Sequence, residues 1–313
     1  MEDLLFSLKV VFPLLVMMAV GYGARRLKVI GPQGVREANR AVFQIFLPLT
    51  LFFNIVDTRL DAAVDSKTLI FALVGCVAVF AALFLLAPLC KRREARGVLI
   101  QGVARSNYAI FGIPLVMSVY PGANVAIASL MVMVAVPVFN VLSVVALMVY
   151  GGDGKPSLKK TLAGIAANPL ILATALGFLW WKLALPLPEL LASPLRSLGR
   201  LASPLALFLL GASLDFGKAR ADIRLLTLGV LGRLVVVPGI MLTLAALLGI
   251  RDVSLATLVA VFASPTSVSS YPMAQQMGGD DGLAGALVAF TTVFSIFTVF
   301  LCVLLLRGLG LLA

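Results

Sequence analysis

The sequence predicts an all-α integral membrane protein whose ten transmembrane helices form two inverted five-helix repeats. Three observations predict it. First, the 313 residues are 61% hydrophobic and only 12% charged, against about 45–50% and about 25% in a soluble domain. Such a chain cannot build a water-facing surface. Second, apolar runs of about 20 residues, enough to cross roughly 30 Å of hydrocarbon, recur along its whole length. Third, the chain repeats itself. Pro13-Leu14 and Pro169-Leu170, Gly21-Tyr22 and Gly177-Phe178, Arg40 and Arg196, and Pro48-Leu49 and Pro204-Leu205 all lie 156 positions apart, and Pro114 and Pro272 lie 158 apart. Five spans per copy is an odd number, so the second copy enters from the opposite side, as in many secondary transporters.

The spans are placed, in order, at Leu4–Ala24, Gly34–Val56, Thr68–Leu89, Gly97–Tyr120, Ala123–Tyr150, Leu162–Lys182, Leu190–Leu214, Arg224–Leu248, Ser254–Met277 and Leu283–Leu306. The first repeat is then 1–150, a polar loop 151–160, and the second repeat 161–313. The chain opens on Glu2-Asp3 rather than the basic region of a signal peptide, so the first span is expected to stay. Lysine and arginine set orientation. One set of loops carries Arg25, Arg26, Lys28, Arg36 and Arg40, then Lys91, Arg92, Arg93 and Arg96, then Lys155, Lys159 and Lys160, then Lys218, Arg220 and Arg224. The opposite set, with Arg59, Lys67, Lys182, Arg196, Arg200 and Arg251, and Lys9 and Arg307 near the termini, is sparser. The loop at Gly151–Lys160 is therefore expected in the cytoplasm and both termini outside. Gly34–Gln44 and Pro188–Arg200 are amphipathic and fit interfacial segments.

Several function classes fall away. The net charge of +11 comes from short clusters between apolar runs, which orient a membrane protein rather than bind nucleic acid. Cys76, Cys90 and Cys302 have no metal-ligand spacing, so neither a metal nor a cofactor is expected. With no histidine in the chain, Ser-His-Asp and metal-protease sites are excluded. An enzyme is not expected.

The fourth and ninth spans carry the candidate chemistry. The fourth contains Arg105-Ser106-Asn107-Tyr108-Ala109-Ile110-Phe111-Gly112-Ile113-Pro114, and the ninth Ser264-Pro265-Thr266-Ser267-Val268-Ser269-Ser270-Tyr271-Pro272. Proline removes a backbone donor and disfavours helix before it. Gly112 and Pro114 are expected to unwind one helix, Pro265 and Pro272 the other. Non-helical backbone at that depth must face protein or a water-filled cavity, and broken helices at matched positions of two repeats point to a transport site. Each span taken alone is also explained by ordinary proline kinks. The Asn107 amide suits a carboxylate, or bonds another helix as structural glue. Arg105 lies about 12 Å past the basic loop at 1.5 Å per residue. It either snorkels or faces the cavity and attracts an anion; for Arg233, at similar depth, snorkelling is favoured. No Asp or Glu lies deep in any span; Asp57 and Asp215 come closest.

At these residues the chain resembles the auxin efflux carrier family, which includes plant auxin exporters and bacterial transporters, some of malonate. Asn107-Tyr108, followed after three intervening residues by Gly112-Ile113-Pro114, is similar to the family's fourth-helix motif. Ser264 to Tyr271 is similar to the ninth-helix motif of its bacterial branch. The resemblance covers essentially the whole chain. It implies a scaffold from spans 1, 2, 6 and 7, a transport domain from spans 3–5 and 8–10, and an elevator motion. The family's carboxylate-binding asparagine falls on Asn107. Ser106 stands where the plant exporters have proline, and Ser269-Ser270 where they have a second proline, so auxin itself is not implied.

The reading that follows is a plasma-membrane carrier, in a bacterium the inner membrane, for a small organic anion such as the dicarboxylate malonate. Asn107, Tyr108, Arg105, Thr266, Ser267 and Ser269 form the expected pocket. An organic-anion channel and a proton- or sodium-coupled carboxylate importer remain the alternatives. The expected partners are the anion and membrane lipid, with a homodimer left open and no nucleic acid.

Overall fold

The computed structural model describes residues 2–58, 65–121, 126–151, 158–215, 217, 220 and 222–312. Among the described residues the regular structure is helical throughout, apart from one isolated β-bridge. The helices are α1 (Glu2–Arg26), α2 (Pro32–Val56), α3 (Ser66–Leu89), α4 (Arg93–Ala104), α5 (Tyr108–Val119), α6 (Ala126–Tyr150), α7 (Leu158–Ala166), α8 (Pro169–Lys182), α9 (Glu189–Ser213), α10 (Ile223–Leu247), α11 (Asp252–Ala263), α12 (Ser270–Gln276) and α13 (Asp281–Gly308). Six helical stretches of 24 to 28 residues, α2, α3, α9, α10, α13 and the Ile127–Tyr150 part of α6, are long and apolar enough to cross a membrane.

Local signals set their ends. Asp65 accepts from the Thr68 amide, Asn168 from Leu170 and Asp280 from Leu283, capping α3, α8 and α13, because the first turn of a helix leaves backbone donors without partners. Pro32 and Pro169 sit in the first turn of α2 and α8, where a missing N–H costs little. Pro48 and Pro238 fall inside long helices, and each is preceded by a π turn, Val42–Phe46 and Gly232–Val236. The proline ring cannot accept the carbonyl four residues back, and the wider turn accommodates it. The amphipathic stretches Gly34–Gln44 and Pro188–Arg200 run without interruption into α2 and α9, so each is the polar half of a long helix.

Two neighbouring apolar cores hold the bundle. The closest helix contact joins α1 to α9: a Cβ on Gly21 would lie 1.9 Å from the Phe208 carbonyl, and one on Gly211 1.9 Å from that of Met18. Small residues let helix backbones approach this closely. The outer face is apolar. Phe12, Val16 and Val20 form an exposed stripe on α1, and Leu85 and Leu190 are more than 80% exposed. That surface fits lipid.

The described helices fall within or overlap the expected spans, six of them long and apolar enough to cross a membrane, but the expected breaks move. Gly112 and Pro114 lie inside α5, and Pro272 sits in the first turn of α12, where its missing donor is not needed. The interruptions are instead Arg105–Asn107 and Ser264–Ser269; of the four expected breakers only Pro265 falls in one. Gly112 serves packing, since a Cβ there would lie 2.7 Å from the Tyr108 ring. Arg59, Ala123, Lys155, Lys218 and positions 152–157 of the central loop lie outside the described residues.

Candidate functional site

The two interruptions cross. The Asn107 amide donates to the Pro265 carbonyl at 2.9 Å and the Ser267 amide to the Arg105 carbonyl at 3.3 Å, giving an antiparallel bridge between Ser106 and Thr266. This pairing satisfies unwound backbone that hydrocarbon cannot. Four helix ends meet there: the C-terminal ends of α4 and α11 and the N-terminal ends of α5 and α12. The helix macrodipole makes the first two negative and the last two positive.

Arg233 answers the negative ends. It is fully buried and does not snorkel, contrary to expectation. Its Nε donates to the Ser264 carbonyl at 2.7 Å, one Nη to Val103 and Ala104 at 3.0 and 3.2 Å, and the other to Val261 and Phe262 at 3.0 Å each. The π turn at Gly232–Val236 presents this side chain to the crossing.

The positive ends remain, and Arg105 adds to them. It is 4% exposed, so of its two expected fates it takes the cavity. Its guanidinium donates to the Asn140 side-chain carbonyl and to the Ser269 hydroxyl, both at 2.6 Å, and touches the Met273 sulfur. Asn140 is held in turn by its own amide donating to Val136 at 2.8 Å. None of these partners is a carboxylate, and no Asp or Glu is buried among the described residues. A guanidinium hydrogen-bonded only by neutral groups keeps its positive field, and that field favours an anion.

A small cavity of about 50 Å³ adjoins it, lined among others by Arg105, Ser106, Asn107, Ser267 and Ser269 from the crossing and by Thr50, Asn54 and Ser203 from α2 and α9. The Asn107 side-chain NH₂ is buried without a partner, as is the Ser106 hydroxyl. Buried polar atoms are ordinarily satisfied, so the two mark a place for a polar ligand. Ser267 and Ser269 share a hydrogen bond of 2.9 Å.

Of the residues expected from sequence, Arg105, Asn107, Ser267 and Ser269 come together here. Tyr108 and Thr266 do not line the cavity. The Tyr108 hydroxyl donates to Ala128 at 2.8 Å. The Thr266 hydroxyl donates to Gly102 at 2.6 Å, while its amide donates to Thr291; both residues brace the crossing. Thr50, Asn54 and Asn140 were missed. Thr50 and Asn54 are four apart, hence on one face of α2, and Asn140 is the one amide in a mostly apolar helix.

A second, open cavity of about 550 Å³ is lined by Tyr22, Arg25, Arg26, Arg36, Ser213, Asp215 and Gln275, among others. Ser213 and Gln275 both bond the Tyr271 hydroxyl, two residues beyond Ser269. Gln275 also accepts from Asn39 at 2.9 Å.

A family model described as membrane transport protein matches this chain twice, over residues 6–156 and 155–303. A protein of Rhizobium meliloti (strain 1021) named "Putative malonate transporter" is 27% identical over 310 aligned positions, covering 92% of each chain. The match spans nearly all of the sequence, so the protein is a transporter rather than an enzyme, and the chain belongs to the Mem_trans family of membrane transport proteins, the auxin efflux carriers.

Proposed function

We propose that the protein is a secondary transporter of a small organic anion, a carboxylate and by likeness to its Rhizobium relative a dicarboxylate such as malonate. One observation carries the reading: a buried arginine without a carboxylate partner stands beside a buried asparagine NH₂ without any partner, at the positive ends of two helices. Asn107 donates to the carboxylate, Arg105 supplies the charge, and Ser106, Ser267 and Ser269 complete the hydrogen bonds. Thr50, Asn54 and Ser203 face the same anion from α2 and α9.

The wider architecture follows the same reading. Two inverted repeats of five spans are supported by the two family matches, which fall on the two halves of the chain. The first is α1, α2, α3, α4 with α5, and α6; the second is α7 with α8, α9, α10, α11 with α12, and α13. Spans 1, 2, 6 and 7 form the scaffold and the others the moving domain. The cavity has room for roughly one or two waters, less than a dicarboxylate. The anion is therefore admitted when α2 and α9 separate from the crossing, which favours an elevator-type carrier over an open channel. Basic loops face the cytoplasm of a cell whose plasma membrane holds the protein, and both termini lie outside. The open arginine-lined cavity then faces the cytoplasm and concentrates anions at its mouth.

The test is a thermal-shift screen of the purified protein against mono-, di- and tricarboxylates, since a ligand that binds the folded state raises its melting temperature. Malonate or a near relative is expected to raise it saturably. No shift with any carboxylate, while an organic cation or neutral solute gives one, overturns the assignment.

A further inference from the structure

Arg105 and Arg233, the buried arginines among the described residues, do different work. Arg105 borders the cavity, whereas Arg233 has no contact with it: all five of its N–H donors go to the carbonyl oxygens of Val103, Ala104, Val261, Phe262 and Ser264. Val103, Ala104, Val261 and Phe262 lie in the last turns of α4 and α11, whose carbonyls have no partner within their own helices, and Ser264 is the C-terminal cap of α11. Five oxygens from two helix ends thus converge on one buried point. In cation-coupled carriers with broken helices, such ends and unwound carbonyls are where the sodium ion or proton is held.

We propose that Arg233 is a resident counter-cation: its guanidinium fills a five-carbonyl site of the kind an exchangeable metal ion fills elsewhere, so this protein assembles its anion site without sodium. The geometry fits a fixed cation. Arg233 is 0% exposed, it is carried by a π turn, and none of its hydrogen-bond partners is a carboxylate. It joins the two broken helices directly, since Val103 and Ala104 belong to α4 and the other three acceptors to α11 and its C-terminal cap. A sodium ion in the same place would have to arrive and leave with the substrate; the guanidinium cannot leave. Arg233 is then a positioning residue, holding Arg105 and Asn107 in register on the far side of the same turn. The naming of malonate as probe rests on the proposed function; the filling of the carbonyl site does not.

The experiment uses the full chain purified in detergent. Wild type and Arg233→Ala are melted in matched concentrations of choline, sodium and guanidinium chloride, all low enough not to denature. Malonate is titrated calorimetrically in each salt. Wild type is expected to melt alike in sodium and choline and to bind malonate with a Kd equal within twofold. Arg233→Ala is expected to melt about 5–15 °C lower in choline and to recover at least half of that loss saturably in guanidinium. Its malonate affinity is expected to become salt-dependent, at least fivefold tighter in guanidinium than in choline. Sodium-dependent malonate binding by wild type overturns the proposal, as does an Arg233→Ala protein indifferent to guanidinium and sodium. Should Arg233→Ala fail to fold, Arg233→Lys and Arg233→Met decide. Lysine keeps the charge and is expected to exceed methionine in both melting temperature and malonate affinity; equal or reversed order overturns the proposal. If wild type binds no malonate at all, the anion assignment fails, and the melting comparisons still judge the counter-cation.

Discussion

Asn107 carries a side-chain donor with no acceptor inside a buried site, a condition that costs about 1–3 kcal/mol. Stability gives no reason to keep such a group; ligand binding does. Asn107→Ala is therefore expected to weaken carboxylate binding roughly tenfold or more, since a hydrogen bond to a charged group contributes about 1.5–3 kcal/mol, while the melting temperature holds or rises. Calorimetry and a melting curve on the same sample check both halves; unchanged affinity reduces Asn107 to a packing residue. Asn140 is expected to act through Arg105. Asn140→Asp places a carboxylate against the guanidinium and should remove anion binding more completely than Asn140→Ala, a ranking that the same titration measures. The sequence singled out Arg105, Asn107, Ser267 and Ser269 but could not orient their neighbours. Helical phase is lost across a break, so Tyr108 and Thr266, each one residue from a cavity-lining side chain, turn away to Ala128 and Gly102. Asn140 has only Ser143 as a polar neighbour in a mostly apolar run, and only the fold brings it to Arg105.

At the scale of helices, the long apolar runs made the all-helical, membrane-crossing character legible and left the breaks misplaced. Local rules make proline the breaking residue, yet Pro114 and Pro272 are absorbed by α5 and α12. The chain unwinds instead where each segment finds the other's backbone to pair with, a long-range partner invisible to local rules. Glycine packing gives a contrast to test. Gly211→Val forces a side chain into the Met18 carbonyl and is expected to lower the melting temperature by several degrees, as overpacking costs about 1–3 kcal/mol. Gly239→Val meets nothing within 4 Å and should change it little. The cap of α3 predicts a pH response. Burial pulls the Asp65 pKa up, but hydrogen bonds from Ser254 and Thr68 outweigh it and leave it below the usual carboxylate value. A carboxyl depressed in the folded state stabilises above its unfolded pKa, about 3.9, and that contribution is lost as pH falls through the lower, folded value. Asp65→Asn should thus melt below wild type at neutral pH, with the gap closing in acid; a gap independent of pH would rule out the carboxylate's part.

For the molecule as a whole, orientation is the largest open quantity that charge alone predicts. A Ser157→Cys variant in intact cells is expected to react with an impermeant thiol reagent only after permeabilisation; reaction from outside would invert the topology and place the arginine-lined cavity on the external face. A further consequence comes from the crossing. Each half of the chain owns only part of it: the Asn107 amide needs Pro265, Thr266 needs Gly102, and Arg233 spends its donors on Val103 and Ala104 as well as on its own half. Neither half holds a complete crossing. A gene cut within codons 152–157 and expressed as two open reading frames is expected to give two inert polypeptides that regain carboxylate binding only together, and a Gly102→Ala lesion in one, whose added Cβ would lie 2.8 Å from Leu287, would be answerable by a smaller side chain at Leu287 in the other.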